Sequence, residues 1–477
     1  MDTKFYITTT APYVNADPHI GFALEIIQAD VVARYHKLLG ENTLFGFGTD
    51  EHGLKIFRKA KENNLSPQEY CDKSVVRWNE MKSKFNLSYT NFIRTTDPKH
   101  VQAAQEMWQR CLKNGDIYKK TYKSKYCVGC ELEKTDSELE NGKCPIHPNT
   151  EIELIDEENY FFRFSKYQQP LLDFYEQNPQ FVIPESKFNE IKIFVKSGLQ
   201  DFSVSRLKNK MPWGVPVPDD PEQVMYVWFD ALTFYISNLG WPTDEKNFAD
   251  FWPGIQVAGK DNLRQQTAIW QAMLMSAGLP NSKQVFIHGF IISGGQKMSK
   301  SLGNTIDPFE YVKNYGTDAL RYYLLSKISP TEDSDFTKEK FEQVYQSDLA
   351  NGLGNLVARV AKLCENSAFE FPQKEKHNLI PTGELEKHIE VFQFNQALEL
   401  LWTEITVLDQ HVNQEKPWEL KGNALKEVLS WLVEEIRGIS YRLKPFLPET
   451  AEKIEEQFSG TKIKSAAPLF PRLHQLS

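Results

Sequence analysis

The first fifty residues alternate between short apolar runs and a longer periodic one. Phe5-Tyr6-Ile7-Thr8-Thr9 reads as a buried strand, and Ala11 to Asp17 is turn-rich. Ile20, Leu24, Ile27, Val31, Tyr35 and Leu38 then recur at steps of three and four, which predicts an amphipathic helix stopped by Gly40. Thr43-Leu44-Phe45-Gly46-Phe47 gives a second strand, ending at Thr49-Asp50-Glu51-His52-Gly53. Strand, helix, strand at this spacing is a βαβ unit and predicts a parallel sheet. From Ser66 to about Gly115 the pattern is helical, and Tyr122 to Ile155 is short-ranged and polar. Residues 197–206 and 213–218 are expected to return the chain to the sheet. Tyr226 to Ala231 and Ile255 to Asp261 should add further edges, and Val285 to Ile292 reads as another buried strand. After about Pro330 the strand signals end. Helical periodicity over 341–365, 384–411, 423–443 and 449–457 predicts a separate bundle. No internal repeat or low-complexity segment interrupts this order.

The 477 residues are enough for about three domains, each with its own core. A net charge of −9 argues against a nonspecific nucleic-acid coat, but leaves room for an RNA bound through a local basic face. No apolar run approaches a membrane span, and Met1-Asp2-Thr3-Lys4 begins no secretory signal, so a soluble cytoplasmic protein is expected. Three of the 6 cysteines cluster with a histidine as Cys127-x-x-Cys130 and Cys144-x-x-His147. Two such turns, shaped by Gly129, Gly142, Pro145 and Pro148, can close a tetrahedron of three thiolates and one imidazole around Zn²⁺. Four protein ligands leave no open position, so the expected zinc is structural.

Two cationic or phosphate-directed stretches stand far apart. Pro18-His19-Ile20-Gly21-Phe22 opens the first helix, whose N-terminus would favour a phosphate. Lys297-Met298-Ser299-Lys300-Ser301, flanked by Gly294-Gly295 and Gly303-Asn304, follows a buried strand as a glycine-rich cationic loop. Alone, His19 would suit a helix cap and the lysines a solvated turn. Together they suit the two ends of a polyphosphate, where lysines stabilise charge built up during transfer.

These two stretches resemble the signature motifs of class I aminoacyl-tRNA synthetases, and the residues around them resemble the methionyl-tRNA synthetases over nearly the whole chain. The resemblance implies an α/β fold: a Rossmann-type parallel-sheet catalytic domain, an inserted zinc-knuckle domain and a C-terminal all-α anticodon-binding bundle. It divides the chain as 1–115, first half of the catalytic domain; 116–212, inserted domain; 213–330, second half; and 331–477, helical bundle. It implies activation of L-methionine by ATP, with Mg²⁺, and transfer to the 3′ end of methionine tRNA. The alternatives are a class I synthetase for another amino acid and a non-catalytic tRNA-binding paralogue.

By the same resemblance, Lys300, Lys297 and His19 would serve catalysis, with Gly21, Gly259 and Asp261 also at the ATP. Asp50 would hold the substrate's ammonium. Tyr13, Trp228, Ala231, Tyr235 and Gln266 would form the methionine pocket, although aromatics at such spacing also suit an ordinary core. Asn355, Arg359 and Trp418 would read the anticodon. The family's first motif usually ends in a second histidine, and here that position is Phe22. Where many relatives have Ile-x-x-Phe-His after Gly-Lys-Asp, this chain has Asn262-Leu263-Arg264-Gln265-Gln266. Buried amides need partners, so the pocket floor should hold a hydrogen-bond network, waters or a more polar ligand. The chain also lacks the C-terminal dimerising module found in some relatives, from which a monomer is expected.

Overall fold

The computed structural model describes residues 3–130, 132–134, 136–298, 304–373 and 383–473. Strand β1 (Lys4–Thr9) leads through the turn-rich stretch into helix α1 (Ile20–Leu38), and β2 (Asn42–Thr49) returns beside β1 in parallel, with Ile7 opposite Phe45. Gly40 stops α1 with φ +82°. The helix is not amphipathic: Glu25, Gln28 and Asp30 are buried along with its apolar residues. The sheet covers one side and helices from the C-terminal region cover another, so its polar positions face protein partners instead of water.

Helices α2 (Leu54–Glu62) and α3 (Pro67–Lys84) follow, the latter opened by a reciprocal Ser66–Glu69 capping box. The stretch expected to be helical throughout then contains strand β3 (Asn91–Arg94) before α4 (Pro98–Lys113). Four residues with polar ends are too few to display a two-residue period.

Strands β4 (Ile117–Cys127) and β6 (Ile152–Phe162) form a long antiparallel hairpin, with β5 (Leu132–Lys134) on the outer edge of β4. After α5 (Gln168–Gln177), β7 (Val182–Ile183) and α6 (Glu185–Lys196), residues 197–218 do not rejoin the parallel sheet. Strand β8 (Phe202–Ser203) pairs with β6, while β9 (Ser205–Leu207), β10 (Pro216–Val217) and β11 (Asp220–Met225) form their own antiparallel sheet. Connections this short can join only antiparallel neighbours; a parallel return needs a crossover. The stretch expected as a strand edge at Tyr226–Ala231 is instead helix α7 (Val227–Leu232), continued by α8 (Phe234–Ser237).

Helix α9 (Glu245–Phe251), β12 (Ile255–Gly259), α10 (Trp270–Ser276) and β13 (Gln284–His288) complete the main sheet. Its order is β3-β2-β1-β12-β13-β7, and every pairing is parallel. The strand order reverses between β1 and β12, so the crevice beyond their C-terminal ends is where an open α/β sheet binds ligands.

A small hairpin of β14 (Ile291–Ser293) and β15 (Gln296–Lys297) follows. Next come α11 (Pro308–Tyr315), α12 (Thr317–Ser326) and β16 (Ser334–Asp335), a strand beyond the point where strands were expected to end. It lies parallel to β14, and Asp335 accepts a hydrogen bond from the Gly295 N–H at 3.1 Å. The rest is helical: α13 (Lys338–Val344), a π-helical stretch over Tyr345–Gly354, α14 (Asn355–Ser367), α15 (Glu384–Glu390), α16 (Phe394–Glu415), α17 (Gly422–Leu443) and α18 (Pro448–Phe458). Fully buried Arg321 ties this region to the sheet. It reaches Asp30 of α1 at 2.8 Å, and donates to the carbonyls of Phe446 at 2.8 Å and Pro445 at 3.1 Å. Among the described residues, no helix is long and apolar enough to cross a membrane.

Candidate active site

A cavity of about 560 Å³ opens at the crevice between β1 and β12. Its walls include His19, Gly21, Gly259 and Asp261, four residues assigned to ATP from sequence, together with Phe22, Asn262 and Met298. The start of α1 differs from the expected cradle of bare amides. The Ile20 N–H donates to Ile306 O at 3.1 Å, and the Gly21 N–H to Nδ1 of His19 at 3.2 Å. His19 therefore caps the helix while its ring stands at the cavity wall. A Cβ on residue 21 would lie 3.1 Å from that ring, which is why glycine suits the position. Phe22, where the second motif histidine was expected, packs edge-on against Trp78 at 5.0 Å and near Phe47 at 5.8 Å. It belongs to the core beneath α1 as much as to the wall.

Glu25, Thr10 and His288 are among the wall residues not singled out from sequence. Glu25 accepts from the N–H of Thr10 at 2.8 Å and from its hydroxyl at 2.5 Å. Its other oxygen meets Nε2 of His288 at 3.0 Å, while Nδ1 of His288 lies 2.7 Å from Gly289 O. With an oxygen on each ring nitrogen, the site favours the protonated imidazole. Burial alone would discharge it, but the Glu25 carboxylate holds its pKa above the usual value. The signal was a histidine inside an otherwise apolar strand, Val285 to Ile292.

None of the residues expected from the resemblance to form a methionine pocket is in that cavity's lining. Tyr13 bridges to Asp50 in parallel β fashion at the end of β2. Trp228 and Ala231 sit on α7, and Tyr235 on α8 is buried. Burial raises the Tyr235 pKa, and Glu25 and Asp50 contribute further, so the phenol stays protonated near both carboxylates. Of the expected amide floor, Asn262 is only partly buried and turns to Asp261 at 3.2 Å, whereas Gln265 and Gln266 are buried. Gln266 donates to the Tyr235 hydroxyl and accepts from Gln256 at 3.0 Å. Gln256 accepts from Ser282 Oγ at 2.6 Å, and Ser282 Oγ accepts from Gln271 at 3.0 Å. Gln271 cannot be flipped, because its oxygen takes the Ser282 N–H and its nitrogen gives to Gln266 O. The floor is thus a directed chain of hydrogen bonds ending on the phenol oxygen, one of the three possibilities the amides left open.

Between β4 and β6, ligand atoms of Cys127, Cys130, Cys144 and His147 all lie within 4.8 Å of one another. Cys130 Sγ is 3.4 Å from Cys144 Sγ and 3.2 Å from His147 Nδ1. A Cβ on residue 129 would come within 2.5 Å of the His147 ring, so glycine is what admits the imidazole. Burial and the adjoining Cys144 and Cys127 sulfurs push the Cys130 thiol up to about 12, whereas hydrogen bonds oppose burial and lower that of Cys144. Three sulfurs and an imidazole this close could hold a metal ion, and the donor set fits a tetrahedral site. His147 also lines the cavity, so the cluster stands at its edge.

The model of the family described as tRNA synthetases class I (M) matches residues 5–152 and 133–361. The chain is 41% identical over 499 residues to the methionine–tRNA ligase of Thermosynechococcus vestitus, covering 99% of this chain and 93% of that protein. It is 42% identical over 478 residues to that of Nostoc sp., covering 96% and 90%. The chain belongs to the class I methionyl-tRNA synthetases. Its fold matches that of Mycobacterium tuberculosis methionyl-tRNA synthetase in complex with methionyl-adenylate, with a TM-score of 0.91 and 32% identity over 98% of this chain and 100% of that one.

Two groups of residues expected from the resemblance lie away from the cavity or outside the described residues. Lys297 ends β15, and Met298 reaches the cavity wall, but Ser299 to Gly303, including Lys300, fall outside the described residues. In the bundle, Asn355 opens α14 and Arg359 lies one turn on. The Arg359 guanidinium donates to Asp409 at 2.6 Å and to Asn413 at 2.8 Å, both on α16. Trp418, just past α16, is 55% exposed. An indole left that open at a helix end has little packing role.

Proposed function

We propose that this chain joins methionine to methionine tRNA in two steps within the crevice described above. The methionine carboxylate attacks the α-phosphorus of ATP, which enters as its magnesium complex. The bond to the β-phosphate breaks and pyrophosphate leaves. The terminal ribose hydroxyl of the tRNA then attacks the methionyl carbonyl, and AMP leaves. No covalent enzyme intermediate is needed. The observation that carries this reading is the crevice itself, where His19, Gly21, Gly259 and Asp261 line one cavity at the switch point of the sheet. Its substrate is drawn from the relatives named as methionine–tRNA ligases.

In this reading His19, Lys297 and Lys300 offset the charge on the transferring and leaving phosphates. Asp50 receives the ammonium, and Trp228, Ala231, Tyr13 and Tyr235 surround the thioether, a soft apolar group suited to aromatic walls. Gln266 acts behind Tyr235. Zinc held by Cys127, Cys130, Cys144 and His147 has a structural part, because four protein ligands fill its coordination. The protein acts as a monomer in the cytoplasm. ATP–pyrophosphate exchange across the twenty amino acids tests the assignment: methionine should support the highest kcat/KM, with norleucine a weak analogue. A higher value for another natural amino acid would overturn the substrate, and no exchange with any would overturn the reaction.

The bundle is read as the anticodon-binding part, with Trp418 stacking on an unpaired base and Asn355 and Arg359 reaching base edges. Trp418→Ala should weaken tRNA charging by about 1–3 kcal/mol, the scale of one base stack. Adenylate formation, which needs no tRNA, should not change. If both reactions fell together in that variant, Trp418 would be holding the bundle instead of binding RNA.

A further inference from the structure

Asp230 lies on α7 between Trp228 and Ala231, yet its side chain takes no part in the cavity wall. It is fully buried, and each carboxylate oxygen is met by one imidazole. Nδ1 of His52 approaches Oδ2 at 2.6 Å, and Nε2 of His100 approaches Oδ1 at 2.8 Å. The three residues come from three separate segments: His52 follows Asp50 by two residues, His100 is on α4, and Asp230 is on α7. The far nitrogen of His100 is in turn 2.8 Å from Ser237 Oγ on α8.

Each partner is itself held. The His52 ring stands edge-on to the Trp213 indole at 5.4 Å, and Trp213 Nε1 donates to Glu51 O at 2.6 Å. Burial alone would raise the Asp230 carboxyl, but the two imidazoles bring it down to about 2, so it accepts both hydrogen bonds as a carboxylate. A buried charge is a poor device for stability alone, since apolar groups of the same shape often serve as well. What it adds is direction and fixed distance. Helix α7 spans only six residues and has no side-chain cap; Phe229 and Leu232 bury one side of it in the core, and Asp230 adds directed hydrogen bonds to two other segments.

We infer that the His52–Asp230–His100 clamp is a positioning device for the amino-acid subsite, setting the distance between Asp50, which receives the ammonium, and the Trp228–Ala231 wall, which receives the side chain. This rests on the reading of those residues as the methionine site. Asp230, His52 and His100 touch no substrate in this scheme. They act by holding the two halves of the subsite in register, so their loss should appear in methionine KM and leave the phosphate chemistry alone.

The test uses the full chain with His52→Asn, His52→Gln and His52→Ala, read by pyrophosphate exchange, by methionine binding without ATP, and by thermal midpoint. Asparagine places an amide N–H near the position of Nδ1, and glutamine places it one bond further out. His52→Ala and His52→Gln should each raise methionine KM about tenfold or more, with kcat and ATP KM within about threefold, and His52→Asn should stay within about threefold of the unmutated protein throughout. Methionine binding without ATP should weaken in parallel. If the asparagine and glutamine variants behaved alike, the histidine would be a polar filler and the inference would fall. It would fall equally if kcat and both KM values moved together with the midpoint. Should His52→Ala not fold, the asparagine–glutamine pair still decides. Failure of the unmutated protein to exchange with methionine would instead overturn the substrate assignment, and the same shifts would then be sought with whichever amino acid supports exchange.

Discussion

Replacing Lys300 with alanine should slow adenylate formation by about 10²-fold or more, since one preorganised donor at a charge-developing atom is worth about 3 kcal/mol. Methionine binding should stay nearly intact, because the amino-acid subsite is built from other segments. His288 is already paired with Glu25 within the wall. The pyrophosphate leaving group must therefore be met by side chains that arrive from outside the sheet. Lys297 ends the β14–β15 hairpin, and Lys300 follows it in the sequence. Asp335 takes the Gly295 N–H, and Asp333 takes the Phe290 N–H at 3.0 Å and Lys260 at 2.7 Å. Single-turnover adenylate formation with Lys300→Ala, beside equilibrium methionine binding, separates the two effects. An unchanged rate would remove Lys300 from the chemistry.

How much of this was legible beforehand depends on how far each signal reaches along the chain. The β1–α1–β2 unit could be read because its apolar residues repeat over nearly forty positions, and Cys127 to His147 because four ligands lie within one short stretch. The burial of α1 on both sides could not be read. Glu25, Gln28 and Asp30 look like a solvated stripe until Thr10, His288 and Arg321 arrive to partner Glu25 and Asp30 from 15 to nearly 300 positions away. Strand β3 was lost to its brevity, and β8 to β10 were misplaced because two- and three-residue strands carry no record of their partners. The wall residues Glu25 and His288 went unnoticed for a related reason: each looked like an ordinary polar position, and their pairing spans 263 residues. The amide floor was legible as a problem, since Gln265 and Gln266 would need partners once buried; Gln266 has them, whereas Gln265 Oε1 is buried without one. Its solution was not, because Gln256, Gln271 and Ser282 meet Gln266 only through the sheet and the following turn.

Substituting Cys144 by serine should empty the cluster of metal and unfold residues 128–151 locally, with the six-stranded sheet left standing. Purified unmutated protein should contain one zinc per chain. The expected effect is large because the segment has so little else. Among the described residues between the ends of β4 and β6, the chain forms one three-residue strand, short turns and a single 3₁₀ turn, and Ile146 is 62% exposed. A structural zinc in so small a unit supplies on the order of 10–16 kcal/mol of apparent binding energy in isolated peptides, more than any contact it could be traded for. The loss should not stop at the ligands. Tyr126 and Val128, on either side of Cys127, pack with Tyr226 against Trp228 and Leu54, and Lys55 reaches back to Gly129 O at 3.1 Å. Hydrogen exchange should therefore rise first in 128–151 and then around Trp228, while β1, β2, β12 and β13 stay protected. A strong chelator added to unmutated protein should reproduce the pattern, and restored zinc should reverse it. Metal analysis finding no zinc in the unmutated protein, or Cys144→Ser retaining a full equivalent with unchanged exchange, would show that the four side chains hold each other without an ion.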